Sequence, residues 1–156
     1  MNSHKTKRIA AFSLIELVIV VVIIGIIGAI AIPRMSRGAS GASESAFIAN
    51  LTVLRNAIDL YAAEHNGAYP TLAKFTDQLT TYSDAAGNTN PSYSSTYEFG
   101  PYLRSVPAVG VGASPKLSTV GDGSGTEVWA YDQVKGTIVA NTGDAAARDG
   151  KKFKTF

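Results

Sequence analysis

The chain has 156 residues, with 14 basic side chains, 12 acidic side chains and no cysteine. This length allows one globular domain beyond any apolar segment, and the lack of cysteine excludes disulfides, thiolate metal ligands and thiol nucleophiles. A formal net charge of +2 gives no support to nucleic-acid binding, and two histidines, His4 and His65, leave few ligands for a metal centre or a catalytic base.

The first predicted element is an apolar helix behind a short basic leader. Residues 1–11 form the leader, and the 21 residues from 12 to 32 contain only Ser13 and Glu16 as polar residues. As a helix, this run would be roughly 31 Å long, which is about the thickness of the hydrocarbon core of a bilayer. We therefore predict that residues 12–33 form a transmembrane and assembly segment, in contact with the membrane.

Glu16 is the unusual residue of this segment. A carboxylate at the centre of a membrane helix costs roughly 2.5–3.5 kcal/mol, and less near an end, so it calls for a partner. No Lys or Arg occurs between Arg8 and Arg34. A cut between Ala11 and Phe12 would create an α-amino group four residues before Glu16. This amine, from the same chain or a neighbour, could neutralise the carboxylate in lipid.

Residues 7–17, Lys-Arg-Ile-Ala-Ala-Phe-Ser-Leu-Ile-Glu-Leu, resemble the prepilin signature of type IV pilins and type II secretion pseudopilins. The resemblance implies that prepilin peptidase cleaves between Ala11 and Phe12 and that the new amine of Phe12 is N-methylated. It also implies that Glu16 is required for assembly and that Pro33 kinks the helix. Ala11 departs from the Gly that the peptidase prefers, which predicts slower processing.

Two other interpretations of this segment compete with the resemblance. One is a secretory signal peptide with Ala29-Ile30-Ala31 as its cleavage site, and the other is a plain single-pass anchor. The apolar run is longer than the usual 7–15 residues of a signal peptide, and neither interpretation gives Glu16 a partner.

The charges beside the segment set its expected orientation. The leader carries three basic residues, and Arg34 and Arg37 follow the segment. Because so short a basic leader is easily retained, we expect a single-pass protein with a cytoplasmic N-terminus. The resemblance implies that the membrane is the bacterial inner membrane and that the head is periplasmic. Cleavage leaves 11 of the 14 basic residues against 12 acidic ones.

Residues 34–66 are predicted to continue the helix as an amphipathic half. Apolar residues recur at spacings of three and four, which is one stripe of a helix: Phe47, Leu51, Leu54, Ile58 and Tyr61. The triplet His65-Asn66-Gly67 is a stop signal, with His65 as a structural cap.

Residues 67–145 are predicted to form a globular head that makes the whole an α+β fold. Thr71 should cap a short helix, residues 84–96 read as a polar loop, and residues 116–120 suggest a strand. Residues 127–131 and 137–141 alternate around a turn and predict an antiparallel β-hairpin or small sheet.

Residues 146–156 are interpreted as a polar, basic tail. The apolar side chains are few there, and Lys151, Lys152 and Lys154 suggest a solvated segment, with a partner-binding patch as the alternative.

The head carries a second, weaker resemblance. Residues 66–71, ending in Tyr-Pro-Thr, and residues 99–107 resemble segments of pseudopilins, whereas residues 108–110 depart from that pattern. The lack of cysteine also favours the major pseudopilin over a type IV pilin.

The expected function is therefore structural and not enzymatic. We expect the major pseudopilin of a type II protein secretion system, with a type IV pilin of a surface pilus as the alternative and a membrane-anchored binding module or enzyme as a rival class. The implied partners are further copies in a helical filament outside the cytoplasm, prepilin peptidase, minor pseudopilins and the inner-membrane assembly platform, without nucleic acid.

No cofactor follows from the residues with certainty. Major pseudopilins carry calcium in a late loop, and Asn141, Asp144 and Asp149 offer oxygen ligands in such a place. Calcium is therefore a hypothesis from the resemblance, although the spacing does not copy the family's site.

Overall fold

The computed structural model describes residues 13–114, 116–147 and 149–156, with the backbone alone for residues 31–38. The chain divides into two compact units, residues 1–39 and residues 40–156. The fold is α+β, as the sequence predicts, with one long N-terminal helix and two small sheets.

Helix α1 runs over Leu14–Glu64, 51 residues. Ser13 directly precedes the helix, and its carbonyl accepts the amide of Leu17 at 3.2 Å. It ends where Asn66 and Gly67 adopt left-handed φ values of 55° and 82°, and the Gly67 amide then bonds back to the helix. The predicted stop is confirmed, because this left-handed geometry cannot continue a right-handed helix. Helical backbone continues through residue 33, and the expected kink there stays a prediction because that side chain lies outside the described ones.

The predicted apolar stripe of α1 forms one side of the hydrophobic core of the head. All five of its residues are buried, and Phe47 stacks on Trp129 with ring centroids 6.0 Å apart. The other core residues come from α2, the loops after it, the three-stranded sheet and the C-terminal turn. The amphipathic pattern is therefore confirmed, since the apolar face of this part of α1 is covered by the head.

The segment after α1 contains a 3-10 turn, Leu72–Lys74, and helix α2, Phe75–Thr80. Phe75 and Leu79 are buried as expected. The predicted cap is wrong in detail, because the Thr71 side chain makes no capping bond. Its amide and its hydroxyl instead donate to Gln78 Oε1, at 2.8 and 3.3 Å.

Two short sheets complete the head. Strands β1, Tyr82–Ser83, and β2, Thr89–Asn90, form an antiparallel pair partly within the expected polar loop. The second sheet has the order β3-β4-β5, with β3 at Val120–Gly121, β4 at Trp129–Asp132 and β5 at Thr137–Ala140.

The second sheet confirms the predicted hairpin and corrects the strand before it. Strands β4 and β5 are antiparallel and pair Trp129 with Ala140. Strand β3 lies parallel to β4 and is only two residues long, so the strand expected at 116–120 is wrong except at its last residue.

The expected solvated tail is wrong for its two phenylalanines, whereas Lys151, Lys152 and Lys154 are exposed as expected. Phe153 is buried, and its ring lies 5.0 Å from that of Phe47. Phe156 packs against the same core, and its carbonyl accepts Arg55 Nη2 at 2.8 Å. The prediction gave weight to the lysines and overlooked the two phenylalanines. Packing these rings against the core stabilises the head, because an aromatic side chain removes a large apolar area from water.

The described part of the N-terminal unit has a different surface. The large apolar side chains of Leu14–Ile30 are each 45–80% exposed. Among the residues described with side chains, no helix has the length and apolarity needed to cross a membrane.

The central position of Phe47 gives a test of the core. Phe47→Ala should reduce the free energy of unfolding of the head by roughly 3–5 kcal/mol, because it leaves a cavity among three aromatic rings. Ile48→Ala, at an exposed neighbouring position of α1, is the matched control and should change it by less than about 0.5 kcal/mol. Chemical denaturation of the detergent-solubilised chain, followed by Trp129 fluorescence, measures both. Equal effects would contradict this account of the core.

Candidate functional site: the N-terminal motif and the polar clusters of the head

Glu16 lies in the first turn of α1, where it reaches back to the start of the helix. Its Oε2 accepts the backbone amide of Ser13 at 3.1 Å. Ser13-Leu14-Ile15-Glu16 has the spacing of a capping box, in which an acid at the third helical position satisfies the amide of the capping residue. Glu16 therefore has a local structural role that the sequence analysis missed, although the Ser-x-x-Glu spacing could have revealed it.

The other predicted residues of this motif lie outside the part of the chain that the structure describes with side chains. Ala11 and Phe12 lie outside the described residues, as does the side chain of Pro33. The pairing of a Phe12 amine with Glu16 thus stays a prediction. The described geometry adds one constraint to it: a glutamine at position 16 could keep the capping bond but could not supply the negative charge.

The surface beyond Glu16 is almost entirely apolar. Residues 17–30 carry no polar side chain, and an added Cβ at Gly25 or Gly28 would meet nothing within 4 Å. Contiguous exposed apolar surfaces of this kind mark contact with lipid or protein. The two glycines also flatten the helix surface, which allows another helix to approach closely.

The proposed calcium ligands already have partners within the protein. Asp144 Oδ1 contacts Lys152 Nζ at 2.7 Å and Lys154 Nζ at 3.3 Å, and the hydrogen bonds and charges of these lysines lower the pKa of Asp144. Asn141 donates to the Glu127 carbonyl at 3.0 Å, and Asp149 accepts the Lys151 amide at 2.9 Å.

No three acidic or histidine side chains of the described residues are grouped to hold a metal ion. The calcium site therefore stays a prediction, and calcium would have to compete with two lysines for Asp144.

His65 is enclosed at the end of α1 and is only 4% exposed. Its ring stacks on Tyr61 at 3.8 Å, Nδ1 lies 2.8 Å from the Tyr61 carbonyl, and Nε2 lies 3.0 Å from the Asp84 carbonyl. Ser83 Oγ is 3.1 Å from Nε2, but Ser83 is fully buried. Because no substrate can reach that hydroxyl, this serine–histidine pair acts in the structure and not as a nucleophile and base.

A second polar cluster joins α1 to the loop after α2. The hydroxyl of Tyr102 donates to Glu64 Oε2 at 2.6 Å. Burial, followed by this bond and the charge of Glu64, raises the pKa of Tyr102 far above its usual value. Burial also raises the pKa of Tyr131, whose hydroxyl donates to the Pro70 carbonyl at 2.9 Å. These tyrosines are held neutral as hydrogen-bond donors.

The glycine-rich loop at 121–125 holds a carboxylate of its own chain. Glu127 Oε1 accepts the amides of Gly123 at 2.6 Å and Gly125 at 3.2 Å. Backbone amides, first its own and then those of Gly125 and Gly123, lower the pKa of Glu127. A Cβ on Gly121 would lie 2.6 Å from the Glu127 side chain, so the glycines allow this close approach. The loop is a turn and does not have the sequence of a phosphate-binding loop.

The comparisons with known proteins bear on the N-terminal segment. Residues 6–32 match the family model of the prokaryotic N-terminal methylation motif. This motif is found in type IV pilins and pseudopilins, and it implies prepilin peptidase processing and assembly of copies into a filament. Comparison with curated proteins and with solved structures gave no match.

The matched residues include the predicted cleavage position, between Ala11 and Phe12, and Glu16, whereas Pro33 lies one residue beyond them. The match supports a pilin-like structural protein, and a prepilin-type signal agrees with a membrane-associated or extracytoplasmic filament. It does not separate the major pseudopilin from other members, and the head gave no match of its own.

Tyr102 makes a testable prediction about alkaline stability. The pKa of Tyr102 is raised in the folded head. The neutral side chain therefore contributes fully to the free energy of unfolding below the usual tyrosine pKa near 10, and this contribution is lost as the pH rises above that value. Tyr102→Phe cannot ionise, so its free energy of unfolding should fall less steeply above about pH 10 than that of wild type. At pH 7 the variant should lose roughly 1 kcal/mol with the Glu64 bond.

Denaturation at a series of pH values measures this difference. Tyr93→Phe, at an exposed ring, is the control and should follow the wild-type curve. Identical curves for wild type and Tyr102→Phe would show that the Tyr102 hydroxyl does not contribute to the alkaline loss.

The calcium hypothesis predicts a stability shift. A site that exists only in the folded state stabilises it by about 2.7 kcal/mol at a hundredfold excess of free calcium over Kd. Calcium should therefore raise the melting temperature of wild type, a chelator should reverse it, and Asp144→Asn should abolish it. Asp132→Asn, at the hairpin turn, is the control. If the melting temperature of wild type is the same in calcium and in chelator, the calcium hypothesis is wrong.

Proposed function

We propose that the chain is the structural subunit of a pilin-like filament, and more finely the major pseudopilin of a type II protein secretion system. The observation that carries the proposal is the match of residues 6–32 to the methylation motif, in which Glu16 is the only charged residue of an exposed apolar segment. The protein is then a building block and has no catalytic role.

The proposal begins with a precursor in the inner membrane. Residues 12–33 insert in the bilayer, the basic leader stays in the cytoplasm, and the head lies in the periplasm. Prepilin peptidase removes residues 1–11 between Ala11 and Phe12, and the new amine of Phe12 is methylated. The support is the matched motif together with the length and apolarity of the sequence from 12 to 32.

Assembly then moves the apolar segment from lipid into a filament. There the carboxylate of Glu16 meets the Phe12 amine of a neighbouring copy, so that neither charge enters an apolar interior alone. Leaving one member of a buried ion pair without the other typically costs about 3–5 kcal/mol. Head-to-tail contacts that do not close into a ring produce such filaments, and the platform and minor pseudopilins would start them.

The finer assignment depends on the head. The absence of cysteine and the Tyr-Pro-Thr segment favour the major pseudopilin. Pro70 of that segment is buried, and its carbonyl accepts the Tyr131 hydroxyl, so the segment is part of the packing of the head. The alternative is a type IV pilin. Neighbouring genes for a secretion ATPase and an outer-membrane channel would support the pseudopilin, and pilus-retraction genes would support the alternative.

Glu16 provides the decisive test, because its charge and its capping bond can be separated. Glu16→Gln keeps an acceptor for the Ser13 amide but loses the charge, whereas Glu16→Ala loses both. We expect wild type and both variants to be cleaved before Phe12 and to remain in the membrane. Both variants should fail to form filaments, because the ammonium group of a neighbour would enter the interior unpaired.

The assay separates membrane and sheared-filament fractions and determines the N-terminus of each by mass spectrometry. Filaments from Glu16→Gln but not from Glu16→Ala would assign the requirement to the helix cap instead of the charge. Normal filaments from both variants would show that Glu16 is not required for assembly. A mature protein beginning at Ile32, or an intact Met1, would refute the leader.

A further inference from the structure

A pocket opens on the surface of the head where the C-terminal turn meets α1. It has a volume of about 470 Å³, and its walls come from α1 and from the end of the chain: Glu44, Ile48, Ala147, Asp149, Phe153 and Phe156. Ile48 is 48% exposed, so this apolar wall is open to solvent. We call this surface the Ile48 pocket.

The Ile48 pocket combines its apolar walls with acidic groups, Glu44 and Asp149. One oxygen of Asp149 accepts the Lys151 amide at 2.9 Å, and a carboxylate has further acceptor sites. The Lys151 ammonium lies over the Phe156 ring, 4.0 Å from its centre. Because the two acids outnumber this one base, the pocket favours an apolar group that carries a cation beside it.

The head carries a segment of this kind, Lys116-Leu117. Leu117 is 45% exposed, and Lys116 is exposed as well. The backbone of Leu117 is held on both sides, since its amide donates to the Ser114 carbonyl at 3.2 Å and its carbonyl accepts the Val109 amide at 3.0 Å. None of the ion pairs among the described residues includes Lys116. An apolar side chain and a cation are thus presented together at a fixed place.

The other exposed apolar side chains of the head match the pocket less well. Among the described residues after position 66, the other large ones are Tyr69, Tyr93 and Val134. The two tyrosines have no basic neighbour in the sequence. Val134 is followed by Lys135, but that ammonium pairs with Asp132 of its own turn at 3.3 Å. Leu117 therefore has both features that the pocket favours, and the other three do not.

The Ile48 pocket and the Lys116-Leu117 segment lie on different sides of α1. Ile48 lines the pocket, whereas Asn50 donates to the carbonyl of Ala108 at 2.9 Å, in the loop that leads to Leu117. Two residues apart on a helix, Ile48 and Asn50 point roughly 160° away from each other around its axis. One head can therefore offer its segment to one neighbour and its pocket to another.

We propose that the Ile48 pocket of one copy receives the Lys116-Leu117 segment of a neighbouring copy in the filament. Leu117 then packs against Ile48, and the Lys116 ammonium lies beside the Asp149 carboxylate. Because the two surfaces differ, the contact is head-to-tail, and contacts of this kind that do not close into a ring build filaments. This inference rests on the filament proposal and adds to it a contact between the heads.

The size of the contact favours a second copy over a free protein partner. A stable interface between free proteins covers roughly 800 Å² on each side, and one leucine with a neighbouring lysine supplies far less. Copies whose apolar segments are packed together hold their heads at a high effective concentration, so a small contact between them is sufficient. The acidic groups of the pocket also disfavour an anionic ligand.

Cross-linking in sheared filaments tests the contact. The chain has no cysteine, so Ile48→Cys and Leu117→Cys introduce its only thiols. With a short bis-maleimide, filaments of the double variant should give a ladder of covalent dimers, trimers and longer oligomers. Each single variant should stay monomeric, because the contact joins two different surfaces. Ile48→Cys with Val134→Cys, at an exposed position of the β4–β5 turn, is the control pair and should give no ladder.

Substitutions without cysteine measure the contribution of the contact to assembly. Leu117→Ala should lower the share of subunits in the sheared-filament fraction by roughly tenfold, whereas Val134→Ala should stay within about twofold of wild type. Lys116→Glu should also lower it, and adding Asp149→Lys should restore it, because the two charges are exchanged. Lys74→Glu, at another exposed lysine, is the control for the change in charge. Thermal melting of the detergent-solubilised variants shows whether the head remains folded.

The outcomes separate this inference from the filament proposal. If wild type forms filaments but the double-cysteine filaments give no ladder, or if a folded Leu117→Ala assembles like wild type, only this inference is wrong. A cross-link from Ile48→Cys to a different protein would also overturn it. If the double-cysteine variant does not assemble, Leu117→Ala and the charge exchange decide. If wild type forms no filaments, the filament proposal fails and this inference fails with it.

Discussion

The buried stripe of α1 is the surface on which the head is ordered. Phe47 stands at one end of that stripe in contact with the rings of Trp129, Phe153 and Phe156. These rings come from a strand and from the end of the chain, so a single helical residue joins segments that are distant in sequence. Because aromatic burial removes large apolar areas from water, this cluster stabilises the sheet and the C-terminal turn together.

Arg55 of α1 also holds the sheet and the C-terminal turn through hydrogen bonds. Its guanidinium donates to the carbonyl of Ile138, at 3.2 Å, and to that of Phe156. Strand β5 is at the edge of its sheet, where carbonyls lack a partner strand. The helix thus supplies both the apolar floor and a hydrogen-bond donor for the strand edge, which limits how the sheet can sit on α1.

Glu16 shows how one residue can serve two physical demands. In the described structure its carboxylate completes the first turn of α1 by accepting the Ser13 amide. In the proposed filament it also neutralises an incoming amine. The two roles are compatible, since one oxygen can cap while the other receives a charge-assisted hydrogen bond. A carboxylate is the one common side chain that satisfies both, which gives a reason for a charge in an otherwise apolar run.

The sequence by itself determined the features that depend on neighbouring residues. Helical periodicity identified the α1 stripe, Asn66-Gly67 identified its end, and alternation around the turn identified the β4–β5 hairpin, because each is a local pattern with a fixed spacing. The motif around Glu16 was recognised from its resemblance to the prepilin signature. Tertiary structure decided the rest. Strands β1, β2 and β3 have two residues each, too short for alternation to show, and β3 pairs in parallel through a contact that no local pattern encodes. The lysine-rich end packs inward because Phe153 meets Phe47, about a hundred residues away in the chain, and only the folded head brings them together.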